Sequence, residues 1–402
     1  MNKDFQILNW IQNELLKEIN LDFKRDYFNN INWDEKVVWL IWERWVWKTT
    51  MMLQKIKETW VWFYFSADNS IIKINWLFKF CYYLYSEYDI NIFYIDEIHK
   101  YPNWTLEIKN IYDSMPNSKI IFSGSSSLDL YAGILDLSRR VDFYNIFPLN
   151  YKEFLKLFYE IDLPSFTFDE LISNHKKISL DLSSITKDKY FEEYVNFWYY
   201  PFSKDITIDS FRKKLQTLLD KIIIEDLPVF LDFKNISLDW LRKMFYFISN
   251  TTPSDLSFTS LALKVWLNKI IIQNTLQLLS KIWLISLIPR FWNLSDRVRK
   301  EYKIILWNPN LYNAYSKKTD IWILRESFFL SHLRKVKNTE IFLPKTWDFI
   351  LERFDEVFYF EIWWKNKSQK SYPKNTFIVK DNIKISENDY VIPLWLFGLI
   401  KE

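Results

Sequence analysis

Three glycines in 402 residues are far too few for a folded chain of this length. Ordinary usage is about 7%, or roughly 28 glycines. Tight turns, helix C-termini and phosphate-binding loops all draw on that supply. Cysteine is almost missing as well: the single Cys81 excludes a disulfide framework and suits a reducing compartment. Histidine is limited to His99, His175 and His332, without ligand spacing. They read as solvent-facing or capping groups, and no zinc site is expected. Charge of one sign is not in excess, with 53 Lys+Arg against 50 Asp+Glu, so nothing global pulls toward a polyanion. Every long apolar run is interrupted by charge, and Met1-Asn2-Lys3-Asp4 opens no signal-peptide core. A soluble cytoplasmic protein with no membrane partner is the expectation.

What the chain has instead is tryptophan. The 21 tryptophans and three glycines together make 24 residues, about 6% of the chain and close to the ordinary glycine share. The bias toward Ile, Lys, Asn, Phe and Tyr suggests an A+T-rich gene. Most of the tryptophans are therefore read as UGA codons that the source organism translates as glycine. The competing reading is a truly Trp-rich protein whose rings form core or a base-stacking surface. Position separates the two, and several tryptophans fall at turn positions, as set out below.

The chain is long enough for several domains. A β-branched apolar run over 36–41 is followed by a short loop and then by helical spacing over 49–58. Further strand-like runs lie at 61–65, 90–95, 119–122 and 141–147, mostly separated by helical stretches. That alternation predicts an α/β domain with a parallel sheet covered by helices. After Pro148 the pattern becomes long helical segments. Over 256–290 it reads as helix-turn-helix and strand, with Trp266 at the inter-helix turn and Trp283 at a helix-to-strand junction. Both are places where glycine is favoured. From about Lys303 a helix over 320–336 joins strands at 341–343, 349–351 and 357–362. The expected organisation is an N-terminal helical segment over 1–35, an α/β core over 36–158 and a helical lid over 159–245. A winged helix over 246–300 and a C-terminal α/β domain over 301–402 complete it.

The loop after the first strand reads Trp42-Glu43-Arg44-Trp45-Val46-Trp47-Lys48-Thr49-Thr50. With glycine at 42, 45 and 47 it is a complete phosphate-loop pattern between a strand and a helix. Two tryptophans on both obligatory glycine positions by chance has a probability of about 0.3%. In such a loop backbone N–H groups cradle phosphates, Lys48 contacts the β- and γ-phosphates, and the Thr49 hydroxyl holds Mg²⁺. The second element is Ile92-Phe93-Tyr94-Ile95-Asp96-Glu97, an apolar strand ending in two acids. It delivers Asp96 to the metal and Glu97 to the attacking water. The third, Ile120-Ile121-Phe122-Ser123-Gly124-Ser125, runs a strand into hydroxyls, and Ser123 or Ser125 would sense the γ-phosphate or orient water. Arg139 and Arg140 follow, and Arg140 is the candidate arginine finger or lid sensor.

These residues resemble a known family. Asp96-Glu97-Ile98-His99-Lys100-Tyr101-Pro102-Asn103-Trp104, Phe122-Ser123-Gly124-Ser125-Ser126, Asp136-Leu137-Ser138-Arg139-Arg140 and Leu149-Asn150-Tyr151-Lys152-Glu153-Phe154-Leu155 are similar to prokaryotic AAA+-type P-loop ATPases. In that family a winged helix is followed by a restriction-endonuclease-like domain of unknown function. The resemblance continues through Phe197-Trp198-Tyr199-Tyr200-Pro201 and Glu361-Ile362-Trp363-Trp364-Lys365 to the closing 392–398 stretch. It sets Trp104 and Trp395 on true tryptophan positions and places 42, 47, 198, 363 and 364 on glycine. It implies ATP binding with Mg²⁺ and hydrolysis coupled to movement of the C-terminal domains. A nuclease-like reading of the last domain rests on Glu326, Asp348, Glu361 and Lys365, carboxylates for Mg²⁺ and a lysine for the nucleophile. The usual lysine lies two residues after the glutamate, but Lys365 is four after Glu361, about 6.6 Å further along a strand.

Three functions compete. The first is an Mg²⁺-dependent ATPase with an unidentified protein partner. The second is an ATP-switched nucleic-acid-binding or nuclease protein acting through the winged helix or the C-terminal domain. Lys264, Lys269, Lys281, Arg290, Arg297, Arg299 and Lys300 supply a basic surface for it. The third is an inactive interaction protein, which holds if the tryptophans are genuine.

Overall fold

The computed structural model describes residues 1–41, 46–59, 62–124, 137, 139–204, 206–226, 238–253, 256–290, 302–316, 319–344, 346–363 and 373–401. The chain forms two compact units, Met1–Pro148 and Leu149–Glu402.

In the first unit five strands form one sheet: β1 (Val37–Ile41), β2 (Trp62–Ser66), β3 (Ile92–Asp96), β4 (Lys119–Gly124) and β5 (Asp142–Asn145). Their order is β2-β3-β4-β1-β5 and every pairing is parallel. β1 is Val-Val-Trp-Leu-Ile and buried along its whole length, the pattern of a strand covered on both faces. From β1 the chain crosses β4 and β3 to reach β2, then returns through β3 and β4. Right-handed crossovers put the outward and returning connections on opposite faces. The reversal lies between β1 and β4, and a sheet of this kind opens a crevice at the carboxyl ends of its strands there. Register brings Ile41 opposite Gly124, Ile95 opposite Phe122 and Ser66 opposite Asp96, so these ends share one edge.

The N-terminal segment is not separate from this unit. The helix Asn2–Glu18 packs on β2: the Phe5 and Phe63 rings are 5.3 Å apart, and the Gln12 Oε1 atom accepts the Tyr64 backbone N–H at 2.9 Å. The unit also ends at Pro148 rather than at residue 158. The reason is the helix Tyr151–Tyr159, whose Tyr151 ring lies 5.5 Å from Phe191 and 5.4 Å from Tyr194, inside the second unit. Asn150 and Glu153 start that helix with a reciprocal capping box.

The second unit begins with helices, among them Phe168–Leu182, Asp188–Phe197 and Ile208–Lys221. Leu238–Asn250, Phe258–Val265 and Lys269–Lys281 then lead into the antiparallel ribbon of β6 (Ile285–Pro289) and β7 (Tyr302–Leu306). A second five-stranded sheet closes the chain: β8 (Thr339–Phe342), β9 (Phe349–Arg353), β10 (Glu356–Trp363), β11 (Thr376–Lys380) and β12 (Val391–Pro393), in the order β12-β11-β10-β9-β8. β8, β9 and β10 pair antiparallel, whereas β11 and β12 add in parallel. The helix Ile321–Leu333 precedes this sheet. No helix among the described residues is long and apolar enough to cross a membrane.

One glycine sits where no side chain fits. A Cβ added at Gly398 would lie 2.5 Å from the Tyr151 Cβ and 3.3 Å from Phe328 Cζ. Gly398→Ala is expected to cost about 1–3 kcal/mol through overpacking, read by urea unfolding; an unchanged midpoint would contradict the packing described.

Candidate functional site

The strand β3 ends in Asp96, which is 5% exposed and sits at the crevice edge. Three hydroxyls converge on its carboxylate. Thr49, at the second position of the helix Lys48–Ile56, donates to Oδ2 at 2.5 Å. The Tyr64 phenol from β2 donates to the same oxygen at 3.1 Å, and the buried Ser123 hydroxyl from β4 donates to Oδ1. Three neighbouring strands and the loop helix are thus pinned at one carboxylate. Burial first, and then the Asp96 charge, push the Tyr64 phenol far above its usual range, so it stays a donor.

Glu97 follows in the left-handed region at φ 51°. Its backbone N–H is held by Asp96 Oδ1 at 3.1 Å and Ser123 Oγ at 3.2 Å. A non-glycine residue kept at positive φ by such bonds marks a position where local strain is stored. The carboxylate is about one-third exposed, with Oε2 3.3 Å from His99 Nε2, and the His99 side chain is 4% exposed. An acid that is both fixed and open to solvent is placed to act on a water molecule.

The phosphate-loop candidates Trp42, Glu43, Arg44 and Trp45 lie outside the described residues. Val46 is buried, Trp47 has φ 68° and ψ 31°, and Lys48 is 6% exposed at the first turn of the helix, followed by Thr49 and Thr50. The Trp47 ring meets Phe23 edge-on at 5.8 Å. Behind the loop, Arg25 is 1% exposed and donates to the carbonyls of Val46 at 2.8 Å, Phe147 at 2.7 Å and Pro148 at 3.2 Å. One buried guanidinium therefore ties the loop to the chain leaving β5. Arg25→Met is expected to strand these carbonyls and lower stability by about 3 kcal/mol, measured by urea unfolding; a loss under about 1 kcal/mol would contradict this anchoring role.

Several sequence-based expectations change here. Ser123 is fully buried, donating to Asp96 and accepting from the Glu97 N–H. Ser125 is outside the described residues. Arg140 is not brought to Asp96: its guanidinium is 3.8 Å from Asp113 and lies over the Tyr112 ring, just before β5 begins. Lys36, immediately before β1, donates to the Tyr112 carbonyl at 2.9 Å. Tyr112, Asp113 and Arg140 therefore occupy the amino-terminal edge of a parallel sheet, a strand length from the site. Of the two readings for the histidines, solvent-facing or capping, His175 and His332 are buried and bond backbone carbonyls of their own helices. His175 bonds the Ile172 carbonyl at 2.9 Å, and His332 is fully buried against the Phe328 carbonyl at 3.0 Å, where burial holds its pKa well below the ordinary range. Tyr64, Arg25 and His99 are the residues sequence reasoning missed. Tyr64 and Arg25 carry no motif, and His99 reveals itself only by lying two residues after Glu97.

In the second unit, two of the candidate nuclease carboxylates, Glu326 and Asp348, already have partners. Glu326 pairs with Lys303 at 2.8 Å, with side chains 17% and 11% exposed. Burial raises its pKa, opposed by Lys303 and reinforced by Asp348. Asp348 Oδ2 accepts the Ile362 backbone N–H at 2.7 Å. Glu361 lies in β10 opposite Ile378, and Lys365 is outside the described residues. Among the described residues no group of three His, Cys, Asp or Glu is arranged to hold a metal ion.

Residues 34–155 match the family described as AAA domain. An uncharacterized protein of Methanocaldococcus jannaschii is 30% identical over 218 residues, 53% of this chain and 46% of that protein. The match thus spans less than half of the relative's length. Among solved structures, AMPPCP-bound DnaA from Aquifex aeolicus is 14% identical, with 68% of this chain and 88% of that one covered and a TM-score of 0.28. The S. cerevisiae Hsp104–ADP complex is 15% identical, covering 67% and 39%, also at a TM-score of 0.28.

Proposed function

We propose that this chain binds ATP with Mg²⁺ and hydrolyses it, and that positions 42, 45 and 47 are glycine in the natural protein. The observation that carries the first half is the convergence of Thr49, Tyr64 and Ser123 on Asp96 at the switch point of a parallel sheet. The match of residues 34–155 to the AAA domain family supports it. A threonine hydroxyl beside a carboxylate is an oxygen donor set that fits Mg²⁺. Thr49 and Asp96 would hold the ion, which supplies charge neutralisation on the phosphates. In this reading Lys48 pairs with the β- and γ-phosphates, and Glu97 orients a water molecule and takes its proton. His99 steadies the Glu97 carboxylate, and Arg25 keeps the loop in place. The glycine chain is expected to release phosphate from ATP and to stop when Mg²⁺ is chelated. Release no faster than in buffer would overturn the assignment.

Backbone conformation supports the second half. Of twelve described non-glycine residues at positive φ, four are tryptophan: Trp47, Trp76, Trp266 and Trp283. Tryptophan is about 5% of the chain, so fewer than one would be expected there, and a bulky residue in this region is a true outlier. Trp104 and Trp395, by contrast, are 5% and 6% exposed and serve as core. Trp266 closes the helix Phe258–Val265 at φ 60° with its ring 91% exposed. Trp266→Gly is therefore expected to raise stability by about 1 kcal/mol, seen as a higher urea midpoint. A lower midpoint would count against glycine at this position.

The three helices and ribbon of 238–306 fit a winged helix, and the last sheet fits a nuclease-like domain that no longer cleaves. The Lys303–Glu326 pair and the Asp348 bond to Ile362 favour the inactive form over a metal-dependent nuclease. Nucleotide-driven movement of these parts is the proposed output.

A further inference from the structure

A basic cavity lies within the second unit. A cavity of about 380 Å³ opens beside the β6–β7 ribbon, within the usual range of small-molecule pockets of about 300–1,000 Å³. Lys269, Arg290 and Lys303 line it, from the first turn of the helix Lys269–Lys281, the residue after β6 and β7. No Asp or Glu is found among its described lining residues. Lys303 pairs with Glu326 at 2.8 Å, and Lys269 and Arg290 are solvent-exposed. Like charges gathered in one concave surface repel, and an anion entering between them relieves that repulsion.

The rest of the lining narrows the ligand further. Phe258 and Tyr302 form an aromatic wall, with ring centres 5.7 Å apart and planes at 32°. Ser257, whose hydroxyl caps the helix Phe258–Val265, and Thr259 also line the cavity. Leu343 closes the far side, its N–H bonded to the Pro289 carbonyl at 2.8 Å. Three cations on one concave surface suit a phosphate, and an aromatic wall next to them suits a base. A bare inorganic anion would use the cations and leave the rings idle.

We propose that this cavity binds the phosphate of a nucleotide unit, carried either by a nucleic-acid strand or by a free nucleotide. The site is independent of the phosphate loop, so its test can be run with that loop disabled. In the full chain carrying Lys48→Ala, binding of a short fluorescent single-stranded oligonucleotide is followed by anisotropy across a salt series. AMP binding is followed by equilibrium dialysis. The comparison adds Lys269→Gln with Arg290→Gln, two exposed positions, and circular dichroism melting confirms that the fold is kept. The expected result is saturable binding of one of the two probes, weakened about tenfold by the double substitution. For the oligonucleotide, the slope of log affinity against log salt should also fall by roughly 1.5 for two lost phosphate contacts. Oligonucleotide binding that AMP does not displace assigns a nucleic-acid strand as the source; AMP binding alone assigns a free nucleotide. Binding of neither probe, or binding unchanged by the double substitution, overturns the proposal.

Discussion

Replacing Trp42, Trp45 and Trp47 by glycine is expected to raise ATP affinity at least 100-fold, about 2.7 kcal/mol. The expectation follows from what a phosphate loop asks of its backbone. Its N–H groups must approach phosphate oxygens closely, and the chain must take up conformations that side chains resist. At Trp47 the conflict is visible: φ is 68° at the residue that starts the helix, and its ring is laid against Phe23. For an L-residue with a side chain the left-handed region costs roughly 1–2 kcal/mol, before any indole meets a phosphate. Calorimetric titration with ATP and Mg²⁺ should give a micromolar Kd for the glycine chain and no saturable binding for the tryptophan chain. Equal affinity in both would mean that the loop is not the binding element. Trp266→Gly alone is the control, since it relieves the same kind of strain in the other unit.

The second large effect is expected at Glu97. In the glycine chain, Glu97→Gln should lower turnover by about 10²–10⁴, the usual contribution of a general base, while the Kd for ATP stays within about threefold. Glutamine keeps the size and hydrogen-bonding reach of the side chain but cannot take a proton. The backbone holding it is unaffected, because Glu97 N–H bonds to Asp96 Oδ1 and Ser123 Oγ rather than through its own carboxylate. Phosphate release and nucleotide binding measured on the same preparation separate the two outcomes. Turnover within a few-fold of the parent would remove Glu97 from the chemistry. Weakened binding with turnover lost in proportion would instead make it a binding residue.

The parts of this protein written in local pattern were legible. Alternation of apolar strands and helices announced a parallel sheet, and β1, β3 and β4 lie within two residues of their expected ends. Asp96 and Glu97 were legible because an apolar strand ending in two acids is a local signal. Long-range partnerships were not. Tyr64 reaches Asp96 only because β2 pairs with β3 in a register that sets Ser66 opposite Asp96. Arg25 finds Phe147 and Pro148 across more than a hundred residues. Arg140, the candidate finger or lid sensor, lies at the start of β5, which parallel topology sends to the edge opposite Asp96. β11 and β12 escaped notice because they are short and lie among Asn, Asp and Lys, the second ending in a proline that donates no hydrogen bond. Strain was partly legible: Trp266 and Trp283 stood at expected turns, whereas Trp76, between two helices at φ 63°, did not.

The central claim is that residues 42–49 form a phosphate loop whose tryptophans stand for glycine. Fragment-ion mass spectrometry of the protein isolated from its source cells, on peptides spanning residues 37–48, reads those positions directly. The account predicts glycine at 42, 45 and 47, with tryptophan retained at 104 and 395 in the same preparation. Tryptophan at all three loop positions would contradict it, and with it the ATPase.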